Sequence, residues 1–219
     1  MSCRLRHIIF FLLIAVLTIP VSCRKGEEDP FLSLRSRNNR IEGKWILSTL
    51  EQNIINKSSS PYDIEVLFDY NYYGGGRIAK KYDISGYYSL LTSFDVKLDI
   101  LENGNTAIEY FIESKDLDFK LRKTSSGTWS WKNDIGKRKE YVNFSDLTLL
   151  MPDLINYFSE NYSMFLTCDF DFSCLNGITD YQIIRLSHDE LKLLFEKDVT
   201  SGNTPYSVKT EMFFKKQKE

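Results

Sequence analysis

Beyond residue 22 the chain has one histidine, His188, in the run Ser187-His188-Asp189. Serine, histidine and aspartate are the members of a hydrolytic triad. That chemistry needs the imidazole oriented inside a pocket, by groups from separate elements. Three consecutive residues between two apolar runs read instead as a tight turn, whose serine and aspartate bond the local backbone. Asp169 and Asp171 share a face if their segment is extended, a spacing open to glycoside hydrolysis or calcium. Acids alternating along an outward strand face are the commoner origin of such a pair. Gly74-Gly75-Gly76 has no following Gly-Lys-Ser/Thr and no helix, so it is not a phosphate loop. The remaining chemistry is aromatic. Tyr70, Tyr72 and Tyr73 crowd the glycine-rich stretch, and Trp129 and Trp131 point the same way on an extended segment. These five are the candidate contacts for a small apolar or amphipathic ligand. The expectation is a protein that is not an enzyme, with a glycan-active enzyme as the remaining catalytic alternative. No cofactor and no metal are expected.

The elements that would position these residues are short and extended. Tyr and Phe are abundant, at 13 and 15, and aromatics make up 14% of the chain; such residues suit half-buried strands. Strands are predicted at 44–51, 62–70, 82–91, 94–101 and 106–114. More follow at 117–123, 128–132, 141–144, 164–172, 181–186, 191–197 and 206–215. Asn103-Gly104 supplies the positive φ of a hairpin turn between 94–101 and 106–114. Residues 187–190 join a second hairpin, and Thr124-Ser125-Ser126-Gly127 is predicted as a turn. Leu154, Ile155, Phe158 and Tyr162 recur at helical spacing, and Pro152 suits the first turn of a helix. One short helical insertion is therefore expected near residues 152–162. Several short strands at regular spacing argue an all-β barrel or sandwich.

The N-terminus reads as an address. Arg4 and Arg6 precede an apolar run over 8–19, which at 12 residues is too short for a spanning helix of about 20. Residues 1–22 are thus expected to be a signal peptide. Val21-Ser22-Cys23 resembles the lipobox of bacterial lipoproteins, with Pro20 standing where Leu is usual. The resemblance implies cleavage before Cys23 and lipid on its sulfur, with three acyl chains holding it permanently. Residues 23–42 then form a tether and entry segment. The run Arg24-Lys25-Gly26-Glu27-Glu28-Asp29 resembles tethers that send lipoproteins to the outer face of the outer membrane, so the surface face is preferred over the periplasmic one.

Without Arg4 and Arg6 the mature chain has 26 basic residues against 30 acidic ones, a net charge of −4. A basic face for nucleic acid is not expected. Cys3 leaves with the signal and Cys23 carries lipid, which leaves Cys168 and Cys174. Outside the cytoplasm an even pair favours a disulfide. On one continuous strand the two would lie about 20 Å apart, so a bridge demands an intervening turn or bulge. Two buried thiols are the alternative.

Gly43-Lys44-Trp45 opens the first predicted strand. A glycine there allows a sharp entry, and the tryptophan is an apolar slab able to plug a barrel end. Gly-x-Trp before a succession of short strands resembles the lipocalin-like family. Gly127-Thr128-Trp129 and Thr179-Asp180-Tyr181 echo that family's pattern. The resemblance covers roughly residues 41–216 and implies an antiparallel up-and-down barrel over 43–219, with Gly43 and Trp45 in structural roles. It implies an envelope lipoprotein binding a small apolar or amphipathic ligand in the barrel. The alternative is a non-catalytic interaction module that docks to another envelope or surface protein.

Overall fold

Alternating apolar and polar residues run through most of the chain, and the backbone follows them into strands. The computed structural model describes residues 36–58, 63–72, 75–82, 86–114, 118–132, 141–147, 149 and 172–218. A five-residue helix, α1 (Arg37–Ile41), precedes ten strands. These are β1 (Gly43–Asn56), β2 (Asp63–Tyr72), β3 (Gly75–Tyr82), β4 (Gly86–Ile100) and β5 (Asn105–Ser114), then β6 (Phe119–Trp131), β7 (Tyr141–Ser145), β8 (Asp180–Leu186), β9 (Glu190–Ser201) and β10 (Thr204–Lys216). Each strand pairs antiparallel with the next and β10 returns to β1, so the chain is an all-β, up-and-down closed barrel.

The barrel is not uniform along its axis. Gly43–Ile46 of β1 pairs directly with β4 at Lys97–Ile100, which makes a ring of eight strands at that end, β1 and β4–β10. Further up, β1 leaves β4 and pairs with β2 instead, and the β2–β3 hairpin fills the space between them. Two added strands widen that wall, because barrel diameter grows roughly with strand number. β1 changes phase where this happens. Its register against β10 shifts between Leu47 and Thr49, so Ser48 is an extra residue. Trp45 and Leu47 are buried below the bulge, and Leu50, Gln52, Ile54 and Asn56 above it. One inserted residue keeps the same face inward through the bend.

The core is the inward face of these strands. Trp45, Leu98, Ile100, Phe144, Tyr181, Leu186, Leu191, Tyr206 and Val208 are all wholly buried. At about 25 cal/mol per Å² of apolar surface removed from water, this layer is the main source of stability.

Several sequence expectations change. The turn expected at 124–127 is absent, because β6 runs unbroken and pairs in continuous register with β5 from Asn105–Thr128 to Ser114–Phe119. Gly127 has a different reason to be glycine. A Cβ there would fall inside the carbonyl group of Ser145 on β7. The segments 82–91 and 94–101 fall largely in the single strand β4, and β3 forms at Gly75–Tyr82, where no strand was predicted before residue 82. Residues 37–41, expected in the entry segment, form α1, with the Ser36 hydroxyl accepting from the Asn39 N–H as its cap. The helix expected at 152–162 and the strand at 164–172 lie outside the described residues, apart from a 3₁₀ turn at Phe172–Leu175.

Candidate functional site

One end of the barrel is sealed. Gly43 enters β1 at φ 134°, a conformation reserved for glycine, and Lys216 passes over it. The Lys216 ammonium donates to the Glu42 carbonyl at 2.5 Å and lies 4.9 Å from the Trp45 ring. The Trp45 indole N–H donates to the Ile41 carbonyl at 2.7 Å, which satisfies a fully buried donor and ties α1 across the opening. Arg40 is buried and donates to the Leu186 carbonyl. Gly43 and Trp45 thus hold the closure together.

Trp129 and Trp131 belong to this sealed end. Their rings meet edge to face at 5.8 Å. The Trp129 indole donates to the Leu101 carbonyl at 2.7 Å, and that of Trp131 to the Asn38 side-chain oxygen at 2.9 Å. The Arg37 guanidinium sits 5.8 Å from the Trp131 ring. Both polar handles are turned to the protein's own closure. Tyr70 and Tyr72 lie on β2, with three strands between it and β6 in the ladder order, and are described in backbone only; Tyr73 lies outside the described residues. Cys23 and Cys168 also lie outside them, while Cys174 is half-buried in the 3₁₀ turn against the core. Ser187 spends its hydroxyl on the turn, accepting from the Glu190 N–H at 3.0 Å, with His188 exposed beside it.

The opposite half of the barrel is different. β7 and β8 are short, at 5 and 7 residues against 13 for β6 and 12 for β9. β6 meets β7 only from Thr128 to Trp131, and β9 meets β8 only up to Leu194. Above those points, among the described residues, β6 and β9 each have a ladder partner on one side alone. Directly paired residues share a face, so Leu121, Lys123 and Ser125 face inward with Ile112, Tyr110 and Ile108. On β9, Lys197 pairs with buried Val208, and Val199 with buried Tyr206. Leu121 and Val199 both pack on the core, whereas Lys123 and Lys197 are exposed.

An aromatic cluster lies in the core beside β7, β8 and β9. The Tyr181 ring is 5.9 Å from that of Phe144 and 6.4 Å from that of Phe195. Tyr181 accepts from the Leu149 N–H and donates to the Ile178 carbonyl. Burial drives its hydroxyl far above the ordinary phenol range, so it stays neutral. Tyr110 lies near enough to act on Tyr181 electrostatically. Deeper inside, Gln52 is fully buried; its amide donates to the Thr210 hydroxyl at 3.0 Å, and its oxygen meets no partner among the described residues.

A cleft of about 400 Å³ opens at the upper edge of β8, lined in part by Ile178, Asp180, Phe195 and Lys197. Burial pushes the Asp180 carboxyl up, but hydrogen bonds from Asn143 and Lys132 outweigh this and hold it below the usual carboxylate range. Asn143 donates at 2.6 Å and Lys132 at 2.5 Å. A second groove, about 520 Å³, crosses the outer surface of β8–β10 and β1. Its charges are already matched, Arg185 with Glu190 at 2.6 Å and Lys192 with Glu211 at 3.2 Å.

No protein-family model matches the chain, and comparison with curated protein sequences finds no relative.

Proposed function

We propose that the protein is a lipid-anchored envelope lipoprotein whose barrel binds a small apolar or amphipathic ligand at the inward face of β6 and β9. One observation supports this reading: the barrel is plugged at the eight-stranded end, whereas beyond β7 and β8 the described parts of β6 and β9 have a ladder partner on one side alone. A barrel sealed at one end and, among the described residues, less completely walled at the other suits a carrier, since small-molecule sites are concave and mostly apolar. Anchoring rests on Cys23 and its lipobox. The chain enters the barrel at the plugged end, and the 13 residues from 23 to 35 reach at most about 45 Å. Lipid at Cys23 would hold the plug toward the outer membrane and leave the opening facing away.

Native mass spectrometry of the chain extracted from its own host's membranes tests both parts. The reading predicts a covalent mass increment on the Cys23 peptide and a small non-covalent mass released on denaturation. An unmodified, empty chain would defeat it. The solvent-free interior along Ile54, Tyr206 and Val208 favours one second reading, a non-catalytic module docked on another envelope protein. That reading predicts a partner chain in the same spectrum and no small molecule.

A further inference from the structure

We infer that the cleft of about 400 Å³ at the upper edge of β8 binds a neutral saccharide, with Asp180 and Gln182 as its main hydrogen-bonding contacts. The site lies largely on the outer face of β7–β9, so it does not depend on what the barrel interior holds.

Strand pairing builds the surface. Tyr141 pairs with Gln182 across β7 and β8, and Gln182 with Leu194 across β8 and β9. All three are half-buried and outward, because their neighbours Val142, Tyr181 and Leu193 are buried inward. Directly paired residues share a face, so an aromatic, an amide and an apolar side chain form one row. A second row lies one alternation up, with Asn143 paired to Asp180 and Glu196 two residues beyond Leu194. Ile178 and Phe195 add apolar contact to the cleft.

Charge balance selects the ligand class. Among the described residues, the cleft is lined by two cations, Lys132 and Lys197, and two carboxylates, Asp180 and Glu196, so its net charge is zero. Lys132 bonds Asp180 at 2.5 Å, and Lys197 acts on the same carboxylate through its charge. A charged or zwitterionic ligand would have to compete with that pairing, whereas a neutral polyol leaves it intact. A carboxylate has about four lone-pair positions. The Asn143 and Lys132 bonds take one on each Asp180 oxygen. The others can accept from ligand hydroxyls, in charge-assisted bonds about twice as strong as neutral ones. The Gln182 amide both donates and accepts, as a sugar hydroxyl does. Tyr141 and Leu194, on either side of it, offer apolar surface to the C–H face of a sugar ring. The volume lies near the lower end of the range for small-molecule sites, about 300–1,000 Å³.

The full-length chain in phosphatidylcholine nanodiscs is titrated by saturation-transfer NMR, with empty nanodiscs subtracted. The neutral probes are methyl glucoside, methyl galactoside, N-acetylglucosamine, maltose and cellobiose; the charged ones are glucuronate, glucosamine and serine. The inference predicts that one neutral sugar binds at least about tenfold more tightly than every charged probe. Asp180→Asn should weaken that sugar about tenfold, since it replaces charge-assisted bonds by neutral ones. It also leaves the cleft one positive charge, so glucuronate should bind more tightly to this variant than to the parent, a gain that misfolding would not produce. Gln182→Ala, which trims an outward side chain, should weaken the sugar about fivefold. Lys192→Gln, in the groove on β8–β10, should leave it unchanged. Binding of no neutral sugar overturns the inference, as does tightest binding of a charged probe. Sugar binding that neither Asp180→Asn nor Gln182→Ala alters removes it from this cleft and overturns the assignment as well.

Discussion

Replacing Gly127 by alanine should damage the barrel far more than a turn glycine would. An added Cβ would overlap the Ser145 carbonyl oxygen and lie 3.2 Å from its carbon and 3.3 Å from that of Asp146. Carbon atoms pack best at about 3.5–4.0 Å, so β7 must retreat by roughly 1 Å. The retreat strains the β6–β7 ladder, whose described register covers only Thr128–Trp131. Overpacking of this kind costs about 1–3 kcal/mol, and the obstacle here is backbone, which cannot rotate away. We expect a loss of about 3 kcal/mol, or roughly 6–12 °C in Tm for a chain of this size. A turn glycine at positive φ would cost about 1–2 kcal/mol, partly offset by a stiffer unfolded chain. Thermal unfolding followed by circular dichroism reads the difference. A Tm within about 2 °C of the parent would refute the close approach of β6 and β7.

Three other perturbations follow from named contacts. Trp45→Phe removes the donor to the buried Ile41 carbonyl, an omission worth about 1–3 kcal/mol. Hydrogen exchange at the Arg40 and Glu42 amides, bonded to Ser36 and Asn38, should accelerate before global unfolding; unchanged protection would contradict the plug. Gln52→Leu combined with Thr210→Val removes both members of an incompletely satisfied buried pair, and should leave stability unchanged or raise it by up to about 2 kcal/mol. A fall in the urea midpoint would show that the Gln52 oxygen has a partner. Tyr181 is an acid whose folded pKa is raised by burial. Its contribution is therefore complete below the unfolded value of about 10 and declines as pH rises beyond it. Tyr181→Phe should flatten the loss of Tm between pH 9 and pH 11, and an identical alkaline slope would remove Tyr181 as its cause.

Much of the barrel was legible in the sequence because its signals are local. Asn103-Gly104 and Ser187-His188-Asp189 mark hairpins, and alternation marks β8, β9 and β10. Trp45 announced a plug through its size and its place at the mouth of the first strand. β6 misled because glycine has two physical uses. Gly127 after Ser125-Ser126 has turn composition, yet the chain uses its missing side chain to let β7 approach. That error hid Lys123, because breaking the strand at 124–127 severs its phase from Trp129. Lys197 was readable: Leu191, Leu193, Phe195, Lys197 and Val199 place a lysine in an apolar phase. Where β7 and β8 stop relative to β6 and β9 was not readable, since alternation within one strand does not fix its length against its neighbours. Trp129 and Trp131 share a face as parity required, but parity does not say which end of a barrel they serve. Their indole N–H groups are spent on Leu101 and Asn38.

The most direct test is a crystal structure of the chain purified from its own host without added ligand. The account predicts continuous non-protein density against the inward face of the barrel, between β6 and β9. Protein side chains or main chain filling that space in every copy would contradict it.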